Sequence, residues 1–234
     1  MRQCSSRSEM NPQPPTIACN EIGIRALGFQ DYEPVWRAMQ AFTETRDANS
    51  RDEIWFTEHP GVFTLGMNAS REHVLLPGDI PIVQIDRGGQ VTYHGPGQLM
   101  IYPLIDIRRA RIGVRDLVCA LEKAVIRLAS AHSIEARGRR DAPGVYVGDA
   151  KLASVGLRIR RGASFHGMAL NVNVDLEPFT RINPCGYENL QMTDLHRLGA
   201  GGTLAEIRHQ LLPGLLEELG FTERSVVELP AALP

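Results

Sequence analysis

The chain has 234 residues, with 25 basic and 27 acidic side chains and a formal charge of −2. A charge this close to zero argues against a general nucleic-acid or membrane-surface binder, and no run reaches the roughly eighteen apolar residues that a membrane span needs. The hydrophobic fraction of 43% is ordinary for a globular protein, so we expect one domain with a large core.

The first fifteen residues are polar and proline-rich and lack the apolar run of a secretory signal. We predict a disordered tail over residues 1–15 and a single domain over residues 16–234. Four cysteines are present, namely Cys4, Cys19, Cys119 and Cys185. They form no CxxC pair, which favours free thiols in a reducing cytoplasm.

Strand patterns and a helix pattern alternate in the first part of the domain. Residues 21–29 and 52–59 have the composition of strands, and Asp31 is placed to begin a helix between them. The apolar face of this helix carries Val35, Trp36, Met39, Phe42 and Thr43. Pro60-Gly61 separates the second strand from residues 62–66, which predicts a hairpin.

A glycine-rich stretch, Arg87-Gly-Gly-Gln-Val-Thr-Tyr-His-Gly-Pro-Gly-Gln, lies between strand patterns at residues 81–86 and 98–105. Glycines allow positive φ angles and a close approach of a ligand to the main chain, and Gln90, Thr92 and His94 offer hydrogen bonds. Two interpretations are open: the floor of a pocket, or an elaborate hairpin loop.

The next segment is helical and then basic. Apolar residues at spacings of three and four over residues 113–131 predict an amphipathic helix, inside which we expect Cys119 to be a small packed residue. The basic cluster Arg137 to Arg140 follows on a loop. Such clusters are mostly solvated, but one beside a pocket would receive an acidic partner.

Strands dominate the remainder. The sequence predicts a hairpin formed by residues 144–149 and 151–160. It predicts a third strand over residues 163–174 and a loop over residues 178–188. Residues 203–220 predict a helix that Pro213 kinks or splits. Central strands with flanking helices predict a single α+β domain.

Cys185 and Lys151 are the first candidates for chemistry. Cys185 lies in the loop Asn-Pro-Cys-Gly, and a reactive thiol needs a partner that lowers its pKa. His94 or His166 would give a Cys/His pair, and Lys151 a Cys/Lys pair; spacing does not choose between them. Lys151 has small and apolar neighbours that would desolvate its amine, or it merely starts an exposed strand.

Other residue patterns indicate little chemistry. We interpret His59 and His132, which lie near turns or helix ends, as structural. No HExxH motif or carboxylate cluster indicates a metal site. The order of the glycines matches neither a P-loop nor a GxGxxG motif, so a nucleotide-phosphate site is weakly supported.

Several motifs in order resemble the octanoyltransferases of lipoate biosynthesis, also called lipoyl(octanoyl) transferases, over about residues 22–219. The motifs are Glu58-His-Pro, Thr64-Leu-Gly, the glycine-rich stretch from Arg87, Lys151-Leu-Ala-Ser-Val-Gly, His166-Gly-Met-Ala-Leu-Asn-Val and Asn183-Pro-Cys-Gly. Leu152 and Met168 are apolar variants of the family pattern.

The resemblance implies a mixed β-sheet flanked by helices, similar to the catalytic domain of biotin and lipoate protein ligases. It also implies transfer of an octanoyl or lipoyl group from acyl carrier protein to a lysine of a lipoyl domain of 2-oxoacid dehydrogenase E2 subunits or of glycine-cleavage H protein. No cofactor is implied beyond the 4′-phosphopantetheine of the carrier protein, and no nucleic acid, metal or membrane.

The same resemblance implies that Cys185 is the nucleophile and that Lys151 lowers the pKa of its thiol and acts as a general base. Backbone N–H groups beside Lys151 or Gly167 would stabilise the oxyanion. The implied acyl site is lined by Arg87, Gly88, Gly89, Gln90, Val91, Thr92, Tyr93, His94, Ser154, Val155, Gly156, Gly167, Met168 and Ala169.

Three alternatives stay open. An ATP-dependent lipoate or biotin ligase on the same fold would need no cysteine nucleophile. A noncatalytic acyl-chain or carrier-protein binding module would tolerate loss of Cys185 and Lys151. A Cys/His thioesterase would release free octanoate without an acceptor.

Overall fold

A computed structural model describes residues 21–188 and 190–234, so the predicted tail over residues 1–15, Cys4 and Cys19 lie outside the described residues. The helices in this part of the chain are α1 (Tyr32–Thr45), α2 (Val114–Ala131) and α3 (Leu204–Glu218). The strands are β1 (Ile22–Phe29), β2 (Asp52–Glu58), β3 (Val62–Leu65), β4 (Ile82–Gln84), β5 (Val91–His94), β6 (Gln98–Leu104), β7 (Arg137–Gly138), β8 (Gly144–Val147), β9 (Ala150–Arg160), β10 (Ala163–Asn171) and β11 (Val226–Glu228). None of these helices has the length and hydropathy of a membrane-spanning segment.

The main sheet is mixed, as predicted, and has the strand order β11-β1-β2-β6-β10-β9-β8-β7. Strands β11, β1 and β2 run parallel to one another, whereas the neighbours from β2 to β7 are antiparallel. The hairpin predicted for residues 144–160 is confirmed as β8 and β9. The α+β class is therefore confirmed.

Two hydrophobic clusters fix the helices on the sheet. Helix α1 buries Val35, Trp36 and Met39 against residues of β6 and β10. Helices α2 and α3 pack side by side and bury a larger cluster that includes Leu121 and Leu211. Their apolar residues recur every three or four positions, so each helix turns one stripe toward the core.

A small second sheet, with the order β4-β3-β5, corrects the prediction of a hairpin at Pro60-Gly61. Both edges of β2 are already paired, with β1 and β6, so the chain leaves the main sheet at this turn. Strand β3 then pairs with β4 in parallel and with β5 antiparallel. Because β5 lies within the glycine-rich stretch, that stretch is more ordered than a loop.

The prediction for Cys119 is wrong, and the split at Pro213, one of the two outcomes predicted there, does not occur. Cys119 is exposed, because it lies on the side of α2 that faces away from the buried residues Leu117 and Leu121. Helix α3 runs through Pro213 without a split, and its buried residues on either side of the proline, Leu211 and Leu215, both pack in the core.

Asp52 joins three segments around the start of β2. Its Oδ1 atom accepts hydrogen bonds from Arg46 at the end of α1, from Arg109 before α2, and from the backbone N–H of Asp106. Asp52 is 6% exposed, so the carboxylate and its partners are largely shielded from water. Removal of one partner from such a network leaves buried charges uncompensated.

We therefore expect Asp52→Ala to lower the free energy of unfolding by about 3 kcal/mol, measured by urea denaturation. Glu21→Ala is the matched control, because Glu21 forms an exposed ion pair with Arg51 that contributes little. Equal shifts of the two unfolding midpoints would contradict the role of Asp52.

Candidate active site

A cavity of about 410 Å³ lies between the glycine-rich stretch, β9, β10, the start of α2 and the loop that holds Cys185. Its volume is in the range of small-molecule sites. The predicted residues on its wall are Arg87, Gly88, Gly89, Gln90, Val91, Thr92, His94, Lys151, Ser154, Val155, Gly156, Gly167, Met168, Ala169 and Cys185. The interpretation of the glycine-rich stretch as part of a pocket is thereby confirmed.

Tyr93 is absent from this wall, contrary to prediction. Side chains alternate along β5, so Thr92 and His94 face the cavity while Tyr93 points to the other side. There it packs against Phe63 and Phe179 with ring centroids 5.6 and 5.4 Å away.

Cys185 and Lys151 meet at one end of the cavity, where Lys151 Nζ donates a hydrogen bond of 3.2 Å to Cys185 Sγ. The structure therefore brings together a Cys/Lys pair and not a Cys/His pair. Lys151 is 1% exposed, which excludes the alternative that it starts an exposed strand. This contact places a proton donor within hydrogen-bond distance of the thiol sulfur.

The two candidate histidines have other partners. His94 hydrogen-bonds to Gln98 and Thr64 through its two ring nitrogens, and burial lowers its pKa to about 3. His166 contacts Asp86 at 2.9 Å, and burial lowers the pKa of His166 although Asp86 opposes this shift. Neither ring has a hydrogen bond to Cys185.

The backbone around Lys151 is fixed on both sides. Lys151 pairs with Tyr146 of β8, its N–H donates to the carbonyl of Gln191, and its carbonyl accepts from the N–H of Thr193. The N–H of Lys151 itself is therefore occupied, which removes it from the candidates for oxyanion stabilisation.

Cys185 sits in a strained turn. Its φ angle is 57°, in the left-handed region that a residue with a Cβ atom rarely adopts, and Gly186 follows with a φ of 79°. Asn183 N–H donates to the carbonyl of His73, and Gly186 N–H donates to the carbonyl of Asn183. Backbone strain of this kind persists where surrounding contacts over-determine the conformation.

Glu122 and Gly144 help to position the Lys151 side chain, and neither was predicted from the sequence as a site residue. Glu122 of α2 accepts a hydrogen bond of 2.7 Å from Gly144 N–H, and the Lys151 side chain lies on the other side of Gly144. Burial raises the pKa of Glu122, while the Gly144 N–H and the Lys151 ammonium oppose the shift. The Tyr146 ring centroid lies 5.3 Å from Lys151 Nζ, a cation–π contact.

Arg87 places a second buried cation on the wall. Its guanidinium donates to the carbonyl and hydroxyl of Thr64 and to the carbonyl of Gly88, joining the small sheet to the glycine-rich stretch. Burial lowers the pKa of Arg87, but a guanidinium keeps its charge in proteins.

Comparison with known proteins assigns the family. The lipoyl protein ligase A/B catalytic domain model matches residues 31–216. A relative from Shewanella halifaxensis named octanoyltransferase is 57% identical over 202 residues, with 86% of this chain and 92% of that protein covered. The chain belongs to the octanoyltransferase family of acyltransferases. Another octanoyltransferase, from Hahella chejuensis, is 57% identical over 216 residues and covers 91% of this chain and 96% of its own length.

Solved structures of protein ligases share the fold of this chain. The crystal structure of lipoate-protein ligase A bound with ATP has a TM-score of 0.74 at 16% identity, with 90% of each chain covered. Biotin protein ligase from Aquifex aeolicus has a TM-score of 0.52 at 13% identity and covers 85% of this chain and 69% of its own. The predicted likeness to the ligase catalytic domain is confirmed.

Gly144 allows a test of how Lys151 is held. A Cβ atom at Gly144 would lie 2.5 Å from Lys151 Cε and closer still to the backbone oxygen of Ala153 on β9. We therefore expect Gly144→Ala to displace both the Lys151 side chain and the adjacent part of β9, and to slow iodoacetamide alkylation of Cys185 about tenfold at pH 7. Peptide mass spectrometry separates this thiol from the exposed Cys119, which serves as an internal reference.

Gly148→Ala is the control for backbone strain. Gly148 also has a positive φ angle and lies in the same hairpin, but a Cβ atom there would meet nothing within 4 Å. An equal loss of Cys185 reactivity in both variants would show that Gly144 acts through the backbone and not through Lys151.

Proposed function

We propose that the protein transfers an octanoyl or lipoyl group from acyl carrier protein to a lysine of a lipoyl domain or of glycine-cleavage H protein, the first step of protein lipoylation from endogenous acyl groups. The observation that carries the proposal is the 3.2 Å contact between Lys151 Nζ and Cys185 Sγ on the wall of the cavity. The free thiol fits a reducing cytoplasm.

In the first half-reaction, the Cys185 thiolate attacks the carbonyl carbon of the donor thioester. The bond from this carbon to the phosphopantetheine sulfur breaks, and Lys151 gives its proton to the departing thiolate. One thioester replaces another, so the exchange is nearly isoenergetic. The products are an acyl-Cys185 thioester and a neutral Lys151 amine.

In the second half-reaction, the acceptor lysine first releases one proton to solvent. Its uncharged nitrogen then attacks the acyl carbon, and the neutral Lys151 amine takes the second proton from that nitrogen. An amide bond forms, the bond to Cys185 Sγ breaks, and the thiolate and ammonium pair is restored. The contact between Lys151 Nζ and Cys185 Sγ supports this dual role, because it holds the amine beside the bonds that break and form in both half-reactions.

The apolar wall supports an acyl substrate. Val155, Met168 and Ala169 line the cavity, and Gly156 adds no side chain to its wall. At about 0.8 kcal/mol per methylene, burial of an octanoyl chain contributes roughly 5 kcal/mol to binding. A binding contribution of this size allows modest discrimination between acyl chains of different length.

An ATP-dependent ligase is the main competing function, because ligases share the fold. It would activate a free acid and would have no use for a thiol held against a lysine. We therefore expect octanoyl carrier protein, without ATP, to add one octanoyl group to Cys185, and a lipoyl domain to remove it.

The measurement is intact mass followed by peptide mapping, with Cys185→Ser and Lys151→Ala as variants. Cys185→Ser should form no thioester, and Lys151→Ala should acylate at least about a hundredfold more slowly, because the proton transfer to the departing thiolate is lost. Absence of an adduct in the unaltered protein, together with ATP-dependent transfer of free octanoate, would refute the proposal. Release of octanoate without an acceptor would indicate a thioesterase.

Gly156 tests the position of the acyl chain. A Cβ atom at Gly156 would lie 3.0 Å from Arg87 Cδ and 3.2 Å from the carbonyl of Gly88, so Gly156→Val narrows the cavity between β9 and the glycine-rich stretch. We expect acylation by an octanoyl donor to be blocked and acylation by an acetyl donor to be largely retained. Gly201→Val, at an open position, is the control. Normal octanoyl turnover in Gly156→Val would place the chain elsewhere.

A further inference from the structure

Three exposed arginines near the mouth of the cavity have no carboxylate partner in the part of the chain that the structure describes. Arg111, Arg115 and Arg140 are exposed, and none of them forms an ion pair with a carboxylate in the described residues. Arg127, Arg160 and Arg181, which lie elsewhere, each contact a glutamate. We call the three unpaired residues the arginine rim.

Two elements carry the arginine rim. Val114 and Val118 of α2 line the cavity; Arg115 lies one turn before Val118, and Arg111 precedes the helix. On the facing loop, Arg140 precedes Asp141, which also lines the cavity. Both elements therefore bring positive charge to the same opening.

Contacts between the two elements hold them together. Glu122 of α2 hydrogen-bonds to Gly144, at the end of the loop that contains Arg140, and α2 also packs against β7, where that loop begins. Tyr187, two residues after the nucleophile, donates a hydrogen bond to the carbonyl of Asp141. The arginine rim is thus fixed relative to Cys185.

The charge of the arginine rim is local. Within the basic cluster, Arg137 contacts Asp149 and Arg139 contacts Asp141, so Arg140 is the member whose charge is left uncompensated among described side chains. The chain as a whole carries a formal charge of −2. A cationic mouth on a weakly acidic protein attracts anions to this opening in particular.

Exposed apolar side chains also lie at the mouth of the cavity, near the arginine rim. Val114 and Tyr187 line the cavity and are each 43% exposed. Exposed aromatic and aliphatic side chains beside arginines are typical of protein interfaces, in which the apolar groups supply affinity and the charges supply orientation.

We propose that the arginine rim docks the donor, an acidic carrier protein whose acyl group is held on a phosphopantetheine arm, and that it does not dock the acceptor. The proposal rests on the proposed function. Carboxylates of the carrier protein and the phosphodiester at the base of its arm are anions that guanidinium groups bind well. The acceptor lysine arrives as a cation, which the same charges repel.

The test compares two donors with one double variant, Arg115→Glu with Arg140→Glu. Octanoyl carrier protein presents the anionic partner, whereas the octanoyl thioester of N-acetylcysteamine has the same reacting bond and no phosphate. We expect KM for the carrier protein to rise about tenfold or more with little change in kcat, and its dependence on salt to weaken. Cys185 acylation by the small thioester should change less than twofold.

Two further variants serve as controls. Arg224→Glu reverses an exposed charge beside β11, at the opposite edge of the main sheet from β8, and should leave both donors unaffected. Arg115→Gln with Arg140→Gln removes the charge without reversing it and should give an intermediate rise in KM.

Three results would overturn the proposal: equal losses with both donors, no loss with either, or a loss confined to transfer from preformed acyl-enzyme to the lipoyl domain. The last result would assign the arginine rim to the acceptor. If the unaltered protein forms no Cys185 adduct with either donor, the proposed function fails first and the docking proposal fails with it.

Discussion

The contact between the buried ammonium of Lys151 and the sulfur of Cys185 constrains the rest of the site. A charged amine removed from water is costly unless nearby groups compensate it. Here the compensating groups come from separate parts of the chain: the thiol from a loop, the Tyr146 ring from β8 and the Glu122 carboxylate from α2. These groups meet around Lys151 only in the complete fold, so the geometry of the site depends on folding of the whole domain.

Much of this architecture could be predicted from local patterns. Apolar residues at spacings of three and four located α2 and α3, because this periodicity reports which side of a helix is buried. The hairpin pattern of residues 144–160 located β8 and β9. The glycine-rich stretch pointed to the cavity wall, and the order of six motifs indicated the family. The exposed position of Cys119 shows the limit of such reasoning, since residue type alone did not say which side of the helix it occupies.

The remainder depends on contacts between distant segments. The choice of Lys151 over His94 or His166 as the partner of Cys185 follows from how β9 meets a loop more than thirty residues later. The pairing of β3 with β5 follows from the occupied edges of β2, a property of the whole sheet. Glu122 and Gly144 are ordinary in sequence, and their importance is visible only once the Lys151 side chain is placed between strands.

The turn that carries Cys185 lies outside both sheets and is held mainly by backbone hydrogen bonds, including one to the carbonyl of His73. Its residues contribute little to the main hydrophobic core, whereas Lys151 belongs to a strand of the sheet. The thiol and its lysine partner are therefore carried by parts of the chain that differ in their structural role. Changes in the loop would alter the position of the sulfur while leaving the strands and helices of the main sheet in place.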